Sequence, residues 1–96
     1  MPVSQSRRNP LRETLVFRGP AYAGGPIRWR VAFKHLDQPE LDNVGIFTEM
    51  GGAYDAADAF MHGADQHTAI AHGRNTDSQI NVARQHAVIG ADGNRF

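Results

Sequence analysis

The chain is predicted to fold as an α+β domain, a three-stranded antiparallel sheet packed against one or two C-terminal helices. Three observations carry this expectation. Ile27, Trp29, Val31 and Phe33 alternate with Arg28, Arg30, Ala32 and Lys34, the two-residue period of a half-buried strand. Two shorter apolar runs, 13–18 and 44–49, flank it and are bounded by glycine, proline and asparagine. A helical pattern then follows Gly51-Gly52 over 53–66, and the chain after residue 67 is open between helix and strand.

Taken in order, residues 1–11 are polar and hold two prolines, which predicts a flexible arm ahead of a single domain over 12–96. Within 13–18, Leu15 and Phe17 share a face and are assigned to the core. The connection from Gly19 to Pro26 holds three glycines and two prolines, so it is a loop. A phosphate-binding reading of Gly24-Gly25 is disfavoured because a strand, not a helix N-terminus, comes next. Tyr22 lies in this loop and is a candidate contact residue.

The central strand spans 27–35, and the acidic, proline-containing stretch 37–43 leads to a strand over 44–49 with Val44 and Ile46 on one face. Residues 53–66 read as a helix whose apolar stripe is Ala53, Ala57, Phe60, Met61 and Ala64. Asp55, Asp58, His62 and Asp65 fall on the opposite side at i, i+3, i+7 and i+10. Thr76 and Gln79 fit a capping box and predict a second helix from 77, ended by Gly90, with a strand over 85–89 and a turn at Asp92-Gly93 as the competing reading. The expected core is Leu15, Phe17, Ile27, Trp29, Val31, Phe33, Ile46, Phe60 and Met61.

Formal net charge is zero, yet the charge is segregated. Residues 1–34 carry seven cations against Glu13, a net +6, whereas residues 35–65 carry seven carboxylates and no Lys or Arg, a net −7. Such a division marks either a charged binding surface or two halves that neutralise each other within one fold. Nine of the ten cations are arginine, the residue suited to bidentate and stacked interface contacts.

The absence of cysteine excludes disulfides, thiolate metal sites and cysteine nucleophiles. No apolar run approaches the roughly 18 residues of a membrane helix and no secretory pattern opens the chain, which predicts a cytoplasmic protein without a membrane partner. No cofactor motif is present and no cofactor is expected. Asp58, His62 and Asp65 have chelating spacing on a helix, but no HExxH or second cluster completes a three-ligand site.

The favoured function is therefore a small non-enzymatic protein-binding module. Its concrete form is an inhibitor of the phage or mobile-element type that covers a charged surface of a host complex. Two surfaces are its candidates: Arg28, Arg30 and Lys34 with Tyr22, and Asp55, Asp58, His62 and Asp65. The alternatives are a nucleic-acid-binding accessory protein using the Arg28/Arg30/Lys34 face, a structural subunit of an oligomer or virion, and a small metal-dependent enzyme. The acidic helix, which repels phosphate, weighs against nucleic acid.

Overall fold

A computed structural model describes residues 3–92, with side chains through residue 80. The elements are β1 (Val3–Arg8), β2 (Arg12–Pro20), β3 (Ile27–His35), a 3-10 turn (Pro39–Leu41), β4 (Asn43–Phe47), α1 (Met50–Met61) and α2 (Gln66–Asp92). All four strands run antiparallel in chain order, β1-β2-β3-β4, as a meander. Both helices pack on one face, α1 over β2 and β3, and α2 over α1 and β4.

The α+β class is as predicted, but the sheet has four strands. The extra one comes from the segment expected as an arm. Val3–Arg8 pairs with β2 from Val3↔Phe17 to Arg8↔Glu13, with a register shift between Val3 and Gln5. Asn9 makes the β1–β2 turn by accepting, through Oδ1, the backbone N–H groups of Leu11 and Arg12 at 2.9 and 2.8 Å. Met1 and Pro2 lie outside the described residues.

The core is formed by Val16, Val31, Phe33 and Phe47 from the sheet and Ala53, Ala56, Ala57, Phe60 and Ala69 from the helices. Val31, Phe33 and Phe60 are buried as predicted, and Trp29 and Met61 pack at its margin. Leu15, Phe17 and Ile46 are corrections, because they face away from the helices. The cross-strand register sets Val16 opposite Val31 and Thr14 opposite Phe33, so the even-numbered residues of β2 share the face that the helices cover. Ile27 begins β3 beyond the reach of the helices and stays exposed.

The polar residues this register turns inward are accommodated by the helices. Arg12 Nη1 donates to the carbonyls of Phe60 and Ala64 at 2.7 and 2.6 Å, and its guanidinium stacks 4.6 Å from the Phe60 ring centroid. It thereby places a cation at the carbonyl-rich end of α1. Arg18 stacks on Trp29 at 5.3 Å. The buried Thr14 hydroxyl finds no hydrogen-bond partner.

The helices differ from the expected boundaries. α1 begins at Met50, so Gly51 and Gly52 lie inside it, and it ends at Met61, after which the chain turns at Gly63, whose φ of +115° is glycine territory. Asp65 caps α2, accepting the Thr68 N–H at 2.8 Å. α2 runs unbroken through Gly73, Thr76 and Gly90, so neither the capping box nor the strand over 85–89 forms; Gly93 of the turn signal lies outside the described residues. Thr76 instead donates its hydroxyl across to the Asp55 carboxylate.

The interior glycines have a packing reason. A Cβ on Gly52 would lie 1.9 Å from Asp77 Oδ1 and 2.7 Å from the Gly73 carbonyl oxygen, and one on Gly73 would lie 2.5 Å from the Gly52 carbonyl oxygen. The two helices therefore cross backbone against backbone. Asp77, nearly buried beside this crossing, accepts the N–H groups of Thr48 and Glu49 at 2.8 and 3.2 Å. Its carboxylate thus closes the N-terminal end of α1 in place of a local cap.

Candidate functional site

With both helices on one side, the other face of the sheet is free of helix among the described residues. The register lays it out in rows. Val3, Phe17, Arg30 and Ile46 form one row across the four strands, and Ser6, Leu15, Ala32 and Val44 form the next. Arg8, Glu13 and Lys34 form a third row, and Arg28 lies opposite Gly19 on the other flank. The result is a largely apolar belt two residues deep, with Arg30 set between Phe17 and Ile46 and cations on both flanks.

Arg28, Arg30 and Lys34 are thus brought together on one face, as the alternation of β3 predicts. Arg30 stacks 5.7 Å from the Phe17 ring centroid and donates from Nη1 to the Pro20 carbonyl at 3.2 Å. Arg28 donates to the carbonyl of Ile27 at 3.0 Å. Among the described residues, none of the three forms an ion pair with a carboxylate. Tyr22 sits in the β2–β3 loop, 67% exposed, with its ring over Gly25 and with Gly24 turning at a φ of +75°. It adjoins the Arg28 end of the face in the chain.

The second predicted surface is arranged differently. Since α1 ends at Met61, Asp55, Asp58, His62 and Asp65 are not four turns of one helix. Asp58 Oδ1 accepts from Arg7 of β1 at 2.9 Å and lies 3.4 Å from His62 Nδ1. Asp55 takes the Thr76 hydroxyl and lies 3.2 Å from His72 Nε2. Asp65 caps α2. The Arg7 hydrogen bond holds the Asp58 carboxyl below the usual carboxylate range, and the Thr68 N–H does the same for Asp65. These carboxylates have partners within the fold, where they join β1, α1 and α2. His62 remains well exposed. Among the described residues, no group of three or more His, Asp or Glu is placed to hold a metal ion, and no helix is long and apolar enough to cross a membrane.

Sequence reasoning missed the apolar half of the open face. Leu15 and Phe17 are more apolar than Thr14, Arg12 and Arg18, so the local pattern of β2 points the wrong way. Only the pairing with β3 reveals the true orientation. The Asp65-x-x-Thr68 cap, by contrast, is a legible signal.

No family model, curated protein or solved structure matches the chain. The assignment of function therefore rests on the geometry of the sheet.

Proposed function

We propose that this protein is a small binding module that engages a protein partner through the helix-free face of its sheet, without catalysing a reaction. The observation that carries this reading is the helix-free, half-buried apolar belt of Leu15, Phe17, Ala32 and Ile46 with the exposed Val44, with Arg30 set within it and Arg28 and Lys34 at its flanks. A contiguous apolar patch rimmed by polar residues is the signature of an interaction site. Arginine is among the residues most enriched at binding hot spots, and Arg30 is held over the Phe17 ring on this face. An inhibitor that covers an acidic, partly apolar surface of a larger complex is the concrete form this reading takes, with Tyr22 at the margin of the contact.

The test is affinity capture by the full chain from a lysate of the source cells, set beside Phe17→Ser and an Arg28→Glu/Arg30→Glu double variant. A saturable partner retained by the wild-type protein and lost with both variants supports the reading. A partner retained equally by all three proteins overturns it, as does recovery of nucleic acid alone.

A further inference from the structure

Building on that reading, we infer that the occupant of the open face is an acidic amphipathic helix of the partner. The sheet already holds such a helix on its other side. α1 carries Asp55 and Asp58, contains no Lys or Arg, and buries Ala53, Ala56, Ala57 and Phe60 against β2 and β3. Cations of the sheet meet it, Arg7 at Asp58 and Arg12 at its C-terminal carbonyls.

The open face repeats these conditions. Its belt crosses four strands, roughly 14 Å between the outer strand axes at about 4.8 Å per strand. About three helical turns, roughly 16 Å, cover that length. Cations border the belt on both sides, Arg28 on one and Arg8 and Lys34 on the other, beside the carboxylate of Glu13, and Arg30 rises from within the belt with its guanidinium at the Pro20 carbonyl near the Arg28 flank. A helix with an apolar stripe between two rows of Glu or Asp satisfies both features. A second copy of this chain does not, because the same face turned on itself would set Arg28, Arg30 and Lys34 against like charge.

The experiment is an amide NMR titration of the full chain with three probes: an 18-residue helical peptide with a Leu/Phe stripe flanked by Glu, its counterpart with Lys for Glu, and a 15-nucleotide oligothymidylate. The expected result is saturable shifts at Ser6, Leu15, Phe17, Ala32 and Ile46 with the acidic peptide alone. Arg30→Glu/Lys34→Glu weakens that binding at least tenfold, and added salt weakens it as well. Equal binding of the Lys peptide, shifts centred on α1 and α2, or occupation of the face by the oligonucleotide overturns the inference. Phe17-dependent capture of a native partner together with no binding of the acidic peptide overturns the helix and leaves the binding module standing. Capture unaffected by Phe17→Ser overturns the module itself.

Discussion

Phe17 and Phe33 sit on neighbouring strands of one sheet and meet opposite fates. Phe33 faces the helices, is fully buried and packs edge-on against Phe60 with centroids 5.2 Å apart. Phe17 faces the other way, half-buried, beneath the guanidinium of Arg30. Both belong to strands with apolar residues on the face in question. What separates the faces is where the alanine-rich stripe of α1 lands. Covered polar groups hold the helices in place, as Arg12 and Asp77 do, while among the described residues no ion pair ties the cations of the open face to a carboxylate.

The largest expected effect tests that contrast directly. Phe33→Ala should cost about 3–5 kcal/mol, the range for an aromatic deleted from a packed core. Phe17→Ala should cost under about 1 kcal/mol, since little of the cavity term applies on an open face. Denaturant midpoints of the two variants measure the difference, and equal losses would mean that the open face is covered.

Next comes Asp77→Ala, which strips the acceptor from the Thr48 and Glu49 amides at the start of α1 and should destabilise by about 1–2 kcal/mol in the same assay. Thr14→Val should move the other way. Its hydroxyl is buried without a partner, so an isosteric methyl is expected to raise stability by about 1 kcal/mol. A loss there would show that the covered face tolerates or uses the hydroxyl.

The smallest effect is in acid. Asp58 and Asp65 both have carboxyl pKa values lowered by folding, so the stability they add is present above the unfolded value and disappears as pH falls through the folded one. Thermal midpoints should therefore fall below about pH 4. Asp65→Asn should flatten that acid limb slightly, and an unchanged limb would show that its cap contributes nothing.

The central strand, its two faces and the core residues Val31, Phe33 and Phe60 were legible in the sequence because alternation along one strand is a local property. So was the cationic triplet Arg28, Arg30 and Lys34. The orientation of β2 was not, since it depends on pairing with β3 and on helix atoms that accept Arg12 in place of an apolar side chain. The strand at Val3–Arg8 was hidden for a related reason. Its polar residues lie at a sheet edge, where backbone pairing to β2 suffices. α2 was misdivided at Thr76 because a capping box describes a helix start only when the chain is not already helical; here the hydroxyl answers Asp55 across the helix pair.

The Gly52–Gly73 crossing has a dynamic consequence. With backbone facing backbone, and with Asp77 packed against Gly52 and Phe47 against Gly73, the crossing has no slack to absorb a displacement. Neither helix can then slide or open on its own without breaking the contact and withdrawing Asp77 from the head of α1. α1 and the half of α2 beside it should therefore behave as one opening unit, a lid in two strokes of chain that is protected from amide exchange together or not at all.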